Sequence, residues 1–242
     1  MILVAGDAGV GKSTLNLAEA MHVALGRPFL DHPTVKTRVL YFDEENSKPD
    51  LLAYLQALWI GLDSPPELLT ASWLRIEHFS LGHKTWPSLM ESIMREHRPG
   101  LIYIDTAGSA FDTDDEDKNA EAQRMMRLLR RIMSATNHPA IKILKHAKFQ
   151  TGGGQKGGPT RRTIRGAKSW LGGVDQVVYH IRRPGRPRQG GLSETVLVPD
   201  KTRAYGLQLN TRVIPSYTDT TPKGLIFKGE TLLSKDDLMI VT

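Results

Sequence analysis

The chain has 242 residues, 40% of them hydrophobic, enough to build one large α/β domain or two small ones around a real core. It has no cysteine, which excludes disulfides, thiolate chemistry and cysteine-ligated zinc or iron–sulfur centres. The net charge of +6 is uneven: Lys145 to Arg212 carries 14 Lys and Arg against Asp175, Glu194 and Asp200, a net +11 that leaves −5 for the rest. A basic segment on a mildly acidic body marks a polyanion-binding face, against the plainer reading of a basic surface that aids solubility. No apolar run approaches the roughly 18 residues of a membrane helix, and the N-terminus lacks the basic flank and length of a secretion signal. A cytoplasmic protein without membrane contact is expected.

Met1–Gly6 is a short apolar run that reads as a buried strand and leads into GDAGVGKST, residues 6–14. Lys12 to about Gly26 has helical apolar spacing, with Leu15, Leu17, Ala18, Met21, Val23 and Ala24. Arg38–Asp43 (RVLYFD) reads as a strand, Leu51–Ile60 as a helix and Trp73–Phe79 as a short strand. Trp86–His97 is a helix stopped by Pro99 and Gly100, and Leu101–Asp105 (LIYID) is a strand. Asp117–Ala135 is a long amphipathic helix with Met126, Leu129, Ile132 and Met133 on one stripe, followed by the strand Ala140–Lys145. This alternation predicts an α/β fold, a mostly parallel twisted sheet with helices on both faces. Past residue 174, Gln176–Ile181, Thr195–Pro199 and Leu207–Ile214 read as strands with no helix between them, an antiparallel extension of the sheet edge. Thr151–Pro159 (TGGGQKGGP), with five glycines, is the one low-complexity stretch and is expected to be exposed. The expected organisation is a core over residues 1–217 and a C-terminal extension over 218–242, packed on the core or trailing from it.

Gly6, Gly11, Lys12 and Ser13 complete the pattern G-x-x-x-x-G-K-[ST]. Glycine is needed where the backbone turns tightly and brings its N–H groups up to phosphate oxygens. The helix that follows aims its N-terminus at the same anion. Lys12 is expected to reach the β- and γ-phosphates of ATP and Ser13 to ligate Mg²⁺, with Gly6, Ala8, Gly9, Val10, Gly11 and Thr14 completing the cradle. Asp105 ends an apolar strand, where a carboxylate is costly unless it meets a cation. It is expected to support Mg²⁺ through water rather than to cap a turn.

Tyr41–Ser47 (YFDEENS) also ends a strand and holds three acids, Asp43, Glu44 and Glu45. They would repel a triphosphate unless one of them orients and deprotonates the attacking water, and activated water implies hydrolysis rather than transfer. The residues alone leave all three as candidates. His146 and Lys148 follow the strand AIKILK, where His146 would lie beside the γ-phosphate as a sensor; a lone histidine is more often structural. Glycines interspersed with Lys148, Lys156, Arg161, Arg162 and Arg165 suit a loop that tracks the backbone of single-stranded DNA. Only Phe149 and Trp170 accompany them, which favours phosphate contacts over base stacking. In DKTRAYG, Lys201 and Arg203 alternate and share a face of an extended segment, placed to reach a neighbouring subunit's γ-phosphate as a finger in trans.

In chain order, GDAGVGKST, ALGRPFLDHPTVKTRVLYFDEENS, LIYIDTAGSAF, KILKHAKF, RGAKSWLGGVD and DKTRAYG resemble the RecA-like P-loop ATPase core. Within it they most resemble the RepA group of replicative helicases and the related DnaB-like and RadA-like ATPases, from Met1 to about Tyr217. GRPF before VLYFDEEN is particularly characteristic of the RepA-like group. The resemblance implies an ATP- and Mg²⁺-dependent motor on single-stranded DNA, assembled as a homo-oligomer, a hexameric ring. It implies Glu45 as the catalytic glutamate in preference to Asp43 or Glu44, Asp105 as the Walker B acid, His146 as the sensor, and Lys201 with Arg203 as the trans-acting pair. The stretch between His146 and Arg165 then corresponds to loops facing DNA in the channel. The sequence departs from the pattern in carrying one histidine where the family often has two, and in a finger hairpin one residue longer.

The chain opens on its nucleotide loop, so a bare motor core is expected, without the N-terminal polymerisation segment of a recombinase filament. A regulatory ATPase that binds protein leaves the basic segment unexplained, and a small-molecule kinase conflicts with a water-activating glutamate.

Overall fold

In the computed structural model, which describes residues 1–70, 74–77, 86–110, 119–147, 167–183, 193–202 and 210–232, the glycine-rich loop hangs from a strand in the middle of a nine-stranded sheet. That strand, β1 (Ile2–Gly6), pairs in parallel with β5 (Ala140–His146) on one side and β6 (Gln176–Arg182) on the other. Beyond β5 lie β4 (Leu101–Asp105), β2 (Val39–Asp43) and β3 (Leu74–Glu77), all parallel. Beyond β6 lie β7 (Thr195–Thr202), β8 (Thr211–Tyr217) and β9 (Leu225–Thr231), each antiparallel to its neighbour. The order is β3-β2-β4-β5-β1-β6-β7-β8-β9.

Residue texture follows position. β2 and β4 are buried at every residue, as strands covered on both faces must be. β8 alternates between buried and half-buried positions over its first five residues, as a strand with one wet face does. Successive side chains of the central strands point to opposite faces. Val4, Tyr41, Tyr103 and Leu144 pack with α1 (Lys12–Leu25) and α2 (Lys48–Gly61). Leu3, Ala5, Phe42, Ile104 and Ile143 pack on the other face, with residues of α4 (Trp86–His97), α6 (Asn119–Ala135) and α7 (Ala167–Gly173). Two further helices, α3 (Glu67–Thr70) and α5 (Ala107–Ala110), are single turns.

Most expected elements are present with shifted ends. The stripe on α6 buries Met126, Leu129 and Ile132, with Met133 partly covered. β8 runs from Thr211 to Tyr217 rather than from Leu207 to Ile214; residues 203–209 lie outside the described residues. Two elements were not anticipated. The glycines of AKSWLGG made 167–173 read as loop, yet α7 needs Gly173: a Cβ there would lie 2.6 Å from Met126 Cγ on α6. α7 buries Trp170, whose ring lies 5.2 Å from the fully buried Lys145 ammonium, a cation–π contact. Trp170 therefore serves the core and is not presented for base stacking. The stretch after residue 217 supplies β9, paired with β8 over seven residues, with Leu225 in the core. Among the described residues no helix is long and apolar enough to cross a membrane.

Candidate nucleotide site

The loop after β1 turns through Gly9 (φ 68°) and Gly11 (φ 95°), in the left-handed region that costs other residues roughly 1–2 kcal/mol. Gly11 caps α1 without a side-chain bond, and no acid occupies the first turn. The leading N–H groups of α1 are thus left to an anion. α2 shows the contrast: its first turn contains Asp50, whose N–H donates to the Ser47 hydroxyl at 3.3 Å. Thr14 and Val10 are buried beneath the loop, and Ala8 and Gly9 are exposed on it.

Lys12 is 4% exposed, and burial pulls its pKa below the ordinary lysine value, opposed by Glu45, Asp105 and Asp7. Its ammonium donates to Gly6 O at 3.0 Å, Asp7 O at 2.9 Å and His146 Nδ1 at 3.3 Å. With Nδ1 accepting, Nε2 carries the ring proton, and it donates to both Glu45 carboxylate oxygens at 3.2 Å. The His146 bond holds the Glu45 pKa below the usual carboxylate value; partial burial opposes it, and the Lys12 charge assists. Lys12, His146 and Glu45 thus form one bonded chain across the end of the sheet, with Glu45 ionised at neutral pH.

The three acids after β2 are divided by geometry. Asp43 is fully buried, and its Oδ1 accepts from Glu45 N–H at 3.1 Å and Asn46 N–H at 2.9 Å, so it shapes the turn. The Glu44 N–H donates to Asp105 O at 2.7 Å and lashes that turn to β4. Glu45 is the acid whose carboxylate meets His146.

Asp105 is fully buried at the end of β4. Its Oδ2 accepts from the Tyr41 hydroxyl at 2.7 Å, while Oδ1 has no hydrogen-bond partner. Burial pushes its pKa up to about 6; the Ser13 hydroxyl and Tyr41 pull it down, and Asp43 and Glu45 add to the rise. Ser13 lies close enough to act on Asp105, although no bond of ordinary geometry joins it to Oδ1. Tyr41 stacks on Tyr103 with centroids 5.1 Å apart. The role of Tyr41 was missed. Its one visible trace is that β2 and β4 share the ending Y-x-D, and the register sets Tyr41 beside Tyr103 and Asp43 beside Asp105.

Among the described residues no cluster of three or more His, Asp or Glu could hold a metal ion alone. The donors present instead suit Mg²⁺, which binds through one or two protein oxygens, water and phosphates. The unpartnered Asp105 Oδ1 and the Ser13 hydroxyl supply that set.

The backbone of Lys201 pairs with Val177, which pairs with Leu3. Lys201 therefore lies three registers short of Gly6, about 10 Å along the strands, and two strands, about another 10 Å, to the side. Arg203, Lys148, Lys156, Arg161, Arg162 and Arg165 lie outside the described residues.

Residues 1–149, more than half of the chain, match the family model described as AAA domain. The chain belongs to this family of P-loop ATPases, whose members use ATP with Mg²⁺. The match encloses Lys12, Glu45, Asp105 and His146 and ends before the basic segment and β6–β9. No curated protein matches the chain.

Proposed function

We propose that the protein hydrolyses ATP as a motor of the RepA-like helicase type, at sites shared between subunits of a ring that moves on single-stranded DNA. The observation that carries this reading is the bonded chain Lys12–His146–Glu45 beside the unpartnered oxygen of Asp105. It unites a phosphate-binding cation, an ionised base and a metal-supporting acid in one place.

In this reading the β- and γ-phosphates take over the Lys12 ammonium from the Gly6 and Asp7 carbonyls. Ser13 ligates Mg²⁺ and Asp105 supports it through water; the ion, when bound, neutralises phosphate charge. Glu45, released from His146, orients the attacking water and accepts its proton. His146 ends β5, so its change of partner passes directly into the basic stretch from Lys148 to Arg165 that tracks DNA. Lys201 stands at the opposite end of β1 from the loop of its own chain. That position supports the use of Lys201 and Arg203 on a neighbouring subunit's triphosphate, where they stabilise developing charge.

The test is the steady-state ATPase rate with and without single-stranded DNA, alongside native mass. Stimulation by DNA together with a six-subunit mass is expected. Absence of stimulation and of binding at low salt would overturn the DNA-motor reading, and stimulation without a closed ring would favour a recombinase-like filament.

A further inference from the structure

β6 runs past the end of β1 and carries Arg182 to the rim of the nucleotide loop. Ala5 of β1 pairs with Tyr179, three residues before Arg182. There the Arg182 guanidinium donates from Nη2 to Gly9 O at 2.9 Å. Arg182 is exposed, and its charge has no carboxylate partner among the described residues. The next residue behaves differently. Arg183 pairs with Glu194 at 3.2 Å, Glu194 with Arg212 at 3.1 Å, and Arg212 with Glu230 at 2.7 Å. Arg183 belongs to a closed ion-pair network that holds the hairpins; Arg182 rests on a main-chain carbonyl of the phosphate loop.

The strand order gives that position a meaning. Glu45 follows β2, Asp105 ends β4 and His146 ends β5, so every group read as meeting the γ-phosphate lies on the β5 side of β1. Arg182 stands on the β6 side. A triphosphate with its γ-phosphate at Glu45 and Asp105 runs the rest of the molecule away from them across the loop, toward β6. A guanidinium offers in-plane donors to a phosphate or ribose oxygen and a flat face to a base.

We propose that Arg182 binds the nucleoside end of the nucleotide, the part beyond the β-phosphate, on leaving the Gly9 carbonyl. This rests on the ATP reading above and adds the side of the site that it leaves unassigned.

The experiment is calorimetric binding of Mg²⁺–ADP and of Mg²⁺–tripolyphosphate, which has phosphates and no nucleoside, to the whole chain and to Arg182→Ala and Arg182→Lys. The wild type is expected to bind both ligands. Arg182→Ala is expected to weaken ADP binding by ~10-fold, the loss of a charge-assisted contact, and to leave tripolyphosphate binding within about 2-fold. Arg182→Lys keeps a donor for Gly9 O but no flat fork, and is expected to stay weak for ADP. Equal weakening of both ligands in Arg182→Ala would mean that Arg182 only shapes the loop and would overturn the proposal, as would ADP binding unchanged from wild type. A wild-type chain that binds neither ligand would overturn the ATP reading and this assignment together.

Discussion

Asp105 and Glu194 are both carboxylates attached to the same sheet, on either side of β1, and they are treated in opposite ways. Asp105, in the parallel half, is fully buried, holds one hydrogen bond from Tyr41, and has its pKa pushed up to about 6. Glu194, beside the antiparallel half, keeps 19% of its side chain exposed and is met by Arg183 and Arg212. Its pairing raises the Arg212 pKa, chiefly through the hydrogen bond. An acid neutralised by fixed arginines has its electrostatic needs met by the fold and serves the fold. An acid buried with one oxygen unmet is held at a cost that folding alone does not offset, which is how a site for an incoming cation is built. Lys12 belongs with Asp105 in this respect, since its ammonium is desolvated and meets only carbonyls and an imidazole nitrogen.

The contrast can be broken by substitution, and Lys12→Ala should have the largest effect. Removing the cation both strips the phosphate contact and frees Glu45 and His146 from their chain. Nucleotide affinity is expected to fall ~100-fold or more in calorimetry, and affinity retained within a few-fold would show that the loop does not hold phosphate as read here.

Asp105→Asn separates function from stability. ATP turnover is expected to drop by ~10²–10³-fold, while the nucleotide-free protein becomes more stable at pH 7. The carboxyl pKa rises from 3.8 to about 6 on folding, so the ionised form costs about 3 kcal/mol in the folded state. That penalty is complete above about pH 6, shrinks as pH falls toward 3.8, and is absent below it. Denaturant titrations should show the variant ahead of wild type at pH 7 and level with it near pH 4; a gap equal at both pH values would contradict the assignment.

His180 gives a pH effect of the opposite sign. It is fully buried on β6, its Nδ1 lacks a partner, and burial lowers its pKa from 6.5 to about 3. The unfolded chain takes up a proton below 6.5 that the folded chain refuses until about 3, so stability is lost as pH falls through that window. Between pH 7.5 and 5 the loss from this residue is about 2 kcal/mol, at about 1.4 kcal/mol per pH unit below its unfolded pKa. His180→Gln should flatten that part of the profile in denaturant titrations, and an unchanged slope would remove His180 as its source.

The smallest effect belongs to the antiparallel network. Arg212→Ala should cost no more than about 1 kcal/mol and less in high salt, because the Arg212–Glu230 arm is largely exposed. ATP turnover should be unchanged. A large loss of turnover would dissolve the distinction between the two halves.

What could be read along the chain was what is local. The loop from Gly6 to Thr14 declares itself because its glycines, lysine and serine act within nine consecutive residues. Strands β1, β2, β4 and β5 were legible because burial on both faces makes each a continuous apolar run. Within YFDEENS composition does not separate the three acids; they divide only when Asp43 turns inward to cap its own turn and Glu44 is tied by its backbone to β4. Tyr41 and Arg182 depend on which strands are neighbours, a property of topology that no spacing in the chain encodes. α7 was hidden by Gly172 and Gly173, residues that suit loops in general, although Gly173 here permits a close approach to Met126.

The central claim is that Glu45 is the group that activates water, and single-turnover hydrolysis of bound ATP by Glu45→Gln tests it most directly. The account predicts wild-type affinity for Mg²⁺–ATP and a hydrolysis rate lowered by at least ~100-fold, the usual scale for loss of a general base. A hydrolysis rate within a few-fold of wild type would contradict it and return the role to another group in the site.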